Sequence, residues 1–186
     1  MLEIPDFTPR APIDPAVIDH FRGVVPDDVV ELWTQFGQGT WAEGFLRVID
    51  PKHYADALAD CLGKVTGQGV AIPLMVTGLG DLVTWEPGDG VSGILHRKER
   101  VVGLGSTLEG FVDLTVMDGA EQIDDDFDWK PYPDAVAAHG PLAFDESFIH
   151  VPLLSLGGAR TAAGVKPRDT ITGIQIMVEF QGVIEH

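Results

Sequence analysis

The clearest hydrophobic pattern in the chain lies between Glu31 and Leu58. Val29, Leu32, Trp33 and Phe36 fall at i, i+3, i+4 and i+7, the spacing of one helical face. Gly37 is placed to stop that helix, and Gly39 to keep the following turn loose. The apolar run Phe45-Leu46-Arg47-Val48-Ile49 predicts a strand. Asp50-Pro51 then restarts a helix, with the carboxylate as N-cap and proline at its first position; Tyr54, Ala55, Leu58 and Leu62 share one face. Before this nucleus, residues 1–13 hold three prolines and read as an extended arm, and Asp14-Pro15 opens a short helix ended by Gly23. Trp33, Trp41 and Trp85 are the expected anchors of the core.

After it the periodicity changes from helical to alternating. Val70–Met75 and Leu82–Trp85 read as strands joined by the turn Thr77-Gly78-Leu79-Gly80-Asp81, with Asp81 positioned to brace the turn through backbone N–H groups. Ile94–Arg97 and Arg100–Leu104 form a further pair. Ser106-Thr107-Leu108-Glu109 fits a capping box, followed by Leu108, Phe111, Val112 and Val116 at helical spacing. An acidic loop is expected next, then a short helix over Pro133–His139, a strand and glycine loop within 142–158, and a closing strand or hairpin over Ile171–Ile184. The short connections argue for an antiparallel meander flanked by helices, an α+β fold and not a βαβ series. The chain reads as one compact unit that divides near residue 105 into two lobes, 1–105 and 106–186.

Composition narrows the functional classes. The 186 residues are 45% apolar, as a folded globule requires, yet 12 bases face 29 acids for a net charge of −17. Such a surface disfavours nucleic acid and anionic membranes and favours a basic partner, although solubility alone also explains it. The single cysteine, Cys61, excludes an internal disulfide and fits a buried structural thiol in a cytoplasmic protein. No signal-peptide pattern opens the sequence, and no apolar run reaches spanning length.

Motifs for chemistry are sparse. The six histidines share no ligand spacing, no phosphate-binding glycine motif follows a strand, and no nucleophile elbow is present. Asp145-Glu146 suits backbone hydrogen bonding better than catalysis. The expectation is therefore no catalytic residue, no metal and no cofactor. One feature remains: Asp113, Asp118, Glu121, Asp124, Asp125, Asp126 and Asp128 precede the first base, Lys130, with Phe127 and Trp129 among the last of them. Carboxylates interleaved with aromatics present phosphate-like charge and anchors to a basic cleft, so these nine residues are the candidate partner-binding set. The same residues also fit a solvated loop whose aromatics fold back onto the core.

The segments WTQFGQGTWAEGFLRVIDPKHY, TGLGDLVTW, AFDESFIHVPLLSLGG and QGVIEH, in that order, resemble the GAD-like domain followed by its partner domain, a pairing of immunity proteins against type VI secretion DNase toxins. More distantly, the opening helix and W-x-x-x-G pattern are similar to the SMI1/KNR4-type immunity fold. Leu79 departs from the family, which usually carries an aromatic before the Gly80-Asp81 turn. The resemblance implies a GAD-like first lobe and an immunity-type second lobe. It further implies no catalytic residues and a cognate basic nuclease as partner, bound so as to cover its DNA cleft. A regulatory or scaffold module of the same fold, with no toxin, is the alternative.

Overall fold

The computed structural model describes residues 1–67 and 69–186. Its centre is a seven-stranded sheet of β1 (Thr8–Ala11), β2 (Gln38–Trp41), β3 (Leu46–Val48), β4 (Ile72–Thr77), β5 (Leu82–Glu86), β6 (Gly90–Leu95) and β7 (Arg100–Gly105). The strands lie in sequence order and every neighbouring pair is antiparallel, the meander that the short turns predict. The arm is more than extended: β1 pairs with β2, and Leu2, Ile4 and Ile13 on either side of it are buried. Gly39 lies inside β2 and not in a turn. A Cβ there would stand 2.4 Å from the Phe7 ring, so glycine is what lets the arm close over the strand.

Helices cover both faces of the sheet. On one side α1 (Pro15–Phe21), α2 (Asp27–Glu31) with its π-helical extension Leu32–Phe36, α4 (Leu108–Asp118), α5 (Ala120–Phe127) and α6 (Pro131–His139) enclose the larger core. It includes Trp33, Trp41, Phe45, Phe111, Phe127 and Phe148; Trp85 packs at its edge half-buried. On the other side α3 (Pro51–Ala57) and α7 (Thr170–Gln181) close a smaller core around Ile49, Leu58, Val76, Leu82, Ile94 and Ile174. Cys61 is buried here. A separate hairpin pairs β8 (Glu146–His150) with β9 (Val165–Asp169). The expected α+β architecture is thus present, and residue 105 is where sheet gives way to covering helices.

Several caps match the sequence. Asp14 accepts from Ala16 N–H and Asp50 from Lys52 and His53 N–H, each with proline starting the helix. Others differ. Ile171–Gln181 is helix and not strand, with Asp169 accepting from Thr172 N–H as N-cap and Thr170, Gly173, Ile174 and Met177 facing the core. The expected acidic loop is the helix α5, because Ile123 and Phe127, one turn apart, both bury. The turn before β5 is braced by Thr77, whose Oγ1 accepts from Leu79 and Asp81 N–H at 3.2 and 3.0 Å. The Asp81 carboxylate points instead at Arg97, Nε to Oδ2 2.9 Å.

Candidate functional site

The acidic segment begins on α4. Thr107, and not Ser106, is the N-cap, accepting from Gly110 N–H, while Asp28 reaches across from α2 to accept from Leu108 and Glu109 N–H at 2.9 and 3.1 Å. Glu109 is thereby free to pair with the N-terminal ammonium at 2.8 Å instead of closing a capping box. Leu108, Phe111, Val112 and Thr115 face the core, and Thr115 rests its hydroxyl on the Phe111 carbonyl at 2.8 Å. The buried position expected of Val116 is filled by Thr115, one residue earlier on the helical face, and Val116 turns outward.

The outward stripe is consequently Asp113, Leu114, Met117 and Asp118, at i, i+1, i+4 and i+5. All four are exposed, Met117 at 77%. Gly119, at φ 55°, breaks the helix, and α5 carries exposed Glu121 and Asp125 on beyond it. Four carboxylates and two large apolar side chains are therefore exposed along α4 and α5, Asp113, Leu114, Met117 and Asp118 on the first helix and Glu121 and Asp125 on the second.

The remaining predicted site residues have other employment. Asp124 is held by Lys130 at 2.5 Å, a bond that lowers its pKa. Asp126 accepts from Gln122 at 2.8 Å and is half-buried, its pKa raised by burial. Asp128 pairs with Lys98 at 2.9 Å and lies 3.8 Å from Arg97; burial opposes its charge, but the two bases hold its pKa low. Phe127 is 1% exposed, edge-to-face with Phe45 and Phe111, and its carbonyl accepts from Arg97. It is a core residue and not a surface anchor, because α5 needs it to dock. Trp129 is half-buried against the larger core and lines a pocket of about 290 Å³ between the arm and the helical corner. Sequence reasoning overlooked Leu114 and Met117. The signal was available: both sit on the face opposite Leu108, Phe111 and Val112.

Beneath the 77–81 turn lies a buried polar network. Arg97 and Asp81 pair with side chains 3% and 0% exposed, and burial pushes the Asp81 pKa up against the attraction of Arg97. Arg47, equally buried, donates from Nη1 to the Phe144 carbonyl at 2.8 Å and to that of Glu146. Its Nη2 donates to the Thr77 carbonyl at 2.9 Å and to Ser147 Oγ at 2.6 Å. Arg47 thereby ties β3, β4 and β8 together, mostly through main-chain carbonyls, and leaves only its Nε without a partner among the described residues. Glu146 accepts from Ala143 N–H at 3.0 Å, the backbone role its position suggests. Among the described residues no three His, Cys, Asp or Glu side chains converge to hold a metal ion. No helix among them is long and apolar enough to cross a membrane.

Comparison with known proteins places this geometry in context. The family model described as the GAD-like domain matches residues 2–96, just over half the chain. In three dimensions the chain is similar to the crystal structure of Atu4351 from Agrobacterium tumefaciens, with a TM-score of 0.73 at 19% identity, over 93% of this chain and 85% of that one. At that identity the likeness is one of fold. No curated protein matches the chain significantly.

Proposed function

The chain belongs to the GAD-like domain family, and we propose that it is a non-catalytic immunity protein that binds a cognate basic nuclease, delivered by type VI secretion, and covers its DNA-binding cleft. The observation that supports this reading is the exposed α4–α5 segment, where Asp113 and Asp118 flank Leu114 and Met117 on α4 and Glu121 and Asp125 follow on α5. A nuclease cleft gathers basic groups to hold phosphate, and four free carboxylates offer it charge of that sign. The two apolar side chains supply burial that charge alone does not. The net charge of −17 extends the same attraction to long range. The buried network serves the fold and leaves the surface to do the binding. A scaffold or regulatory role without a toxin is the second reading, favoured if no secreted nuclease is encoded beside this protein.

The test is surface-plasmon kinetics against the neighbouring nuclease, made inactive, at two salt concentrations. Replacing Asp113, Asp118 and Asp125 by Asn and Glu121 by Gln should slow association about tenfold or more and flatten its salt dependence. Leu114→Ser with Met117→Ser should chiefly raise the off-rate. Unchanged kinetics in both variants, with full protection of DNA, would move the interface away from this corner.

A further inference from the structure

The two edges of the seven-stranded sheet are built differently. β1 carries Pro9 and Arg10 and slips register between Pro9 and Ala11, three devices that discourage another strand from pairing there. β7 has neither proline nor register slip along Arg100–Gly103, where it runs in regular register with Leu95–Ser92; the irregularity lies beyond, toward Gly105. Its one charge is at its start. Among the described residues, no backbone group of β7 bonds to backbone outside the β6 ladder, so the alternate N–H and C=O groups on its outer side are open. A Cβ added at Gly103 would meet nothing within 4 Å. Val101 and Val102, both half-buried, pack against the smaller and the larger core respectively, so both hydrophobic layers run out at this edge.

We infer that β7 is a docking edge that receives an extended segment of the basic partner by antiparallel or parallel strand addition. The inference rests on the binding role proposed above and specifies how part of that partner is held. The open main-chain groups give affinity without sequence demands, while apolar side chains of the incoming strand extend the two layers beyond Val101 and Val102. Charge selects the occupant. A second copy of this chain would bring another −17 to the edge, whereas a segment alternating apolar and basic residues meets an acidic molecule. The chain also turns from β7 through Ser106 and Thr107 directly into α4, so basic residues flanking such a segment have Asp113 and Asp118 on the next element.

The probe is the capped peptide (Lys-Val)4, with a control in which one central valine is proline, titrated into the full chain while backbone amide exchange is followed by NMR. Alternate β7 amides should exchange quickly in the free protein and become protected by the peptide but not by the control. Val101→Pro and Val102→Pro form a matched pair: neighbours alternate in direction, so one removes an outward N–H and the other a ladder N–H. The variant that keeps the wild-type melting temperature should bind the peptide about tenfold more weakly. Peptide shifts confined to α4 and α5, with β7 amides unprotected, overturn strand addition and leave the acidic corner standing. Conversely, β7 protection that survives unchanged in the four-carboxylate variant supports the edge and counts against the corner. Concentration-dependent dimerisation with β7 already protected in the free protein overturns the basic partner in favour of a second copy.

Discussion

Arg47 is a cation buried without a carboxylate in contact, and its pKa shows it: burial pushes the guanidinium down to about 10, against the opposing pull of Tyr54, Tyr132, Asp145 and Glu146. What holds it is main chain, the carbonyls of Ala143, Phe144, Glu146 and Thr77, together with Ser147 Oγ. Arg47→Met would fill the space yet strand those carbonyls, so the variant should lose about 3–5 kcal/mol in urea unfolding and show faster amide exchange over 143–147. A loss below about 1 kcal/mol would mean that water replaces the guanidinium. An arginine inside FLRVI was plain in the sequence, but its partners lie 30 to 100 residues away, and only the fold brings them together. His96 makes a pH-dependent case. Its ring is buried with no well-formed hydrogen bond at either nitrogen, and burial lowers its pKa from 6.5 to about 4, opposed only weakly by the nearby Cys61 backbone. The unfolded chain therefore binds more protons between those values, and stability falls as pH drops through that window, by on the order of 3 kcal/mol at its lower end. His150, also lowered to about 4 by burial and by Arg97 and Arg160, adds a slope of the same sign, while Asp81 with its raised pKa works the other way. The difference between wild type and His96→Leu, measured as unfolding free energy from pH 4 to 7, isolates the His96 share. Equal slopes in the two proteins would show that the ring takes up its proton as readily in the fold as in the unfolded chain.

Among elements, α7 shows how local pattern and fold can part. Ile174, Ile176, Val178 and Phe180 alternate with Gln175, Met177, Glu179 and Gln181, a period of two in largely β-branched company, and this reads as a strand. The same residues also place Thr170, Ile174 and Met177 on one helical face, and the uncovered second side of the sheet selects that alternative. Its consequence is that Ile176 and Phe180, core-facing in a strand reading, end up exposed. For α5 the run of aspartates masked a helix whose only requirement was two apolar residues a turn apart. The meander itself was legible, because short glycine turns between apolar runs leave few other topologies. The cap of α4 was legible only in part: Thr107 is local, whereas Asp28 comes from 80 residues away. Asp28→Ala removes acceptors from two first-turn N–H groups, so it should cost about 1–2 kcal/mol, expressed as faster exchange at residues 108–110. Because α4 carries the binding stripe, the same variant should also slow association with the nuclease. Normal protection at those amides would mean that Thr107 caps the helix alone.

The whole molecule is a sheet made by one half of the chain and covered largely by the other. β1 to β7 all lie before residue 106, yet the larger core takes Leu108, Phe111, Ile123, Phe127, Tyr132 and Phe148 from beyond it, and the smaller takes Ile149, Leu153, Ile174 and Met177. Arg97 and Arg47 cross the same boundary to the carbonyls of Phe127 and Phe144. The family match ends at residue 96, so a recognisable sequence unit and an independently stable one need not coincide here. Residues 1–105 alone would retain strand pairing while exposing much of both faces of the sheet, since only α1, α2 and α3 remain to cover them. The segment should therefore collapse without fixed packing: far-UV circular dichroism kept, near-UV signal from Trp33, Trp41 and Trp85 lost, hydrophobic dye bound and no cooperative melt. Adding residues 106–186, by co-expression or by mixing, should restore the near-UV spectrum and cooperativity, because burial of both faces supplies the missing stabilisation. A cooperative transition and native near-UV spectrum from 1–105 by itself would make the first segment an autonomous domain. The second would then be a detachable cover, and the binding corner could move relative to the sheet edge it adjoins.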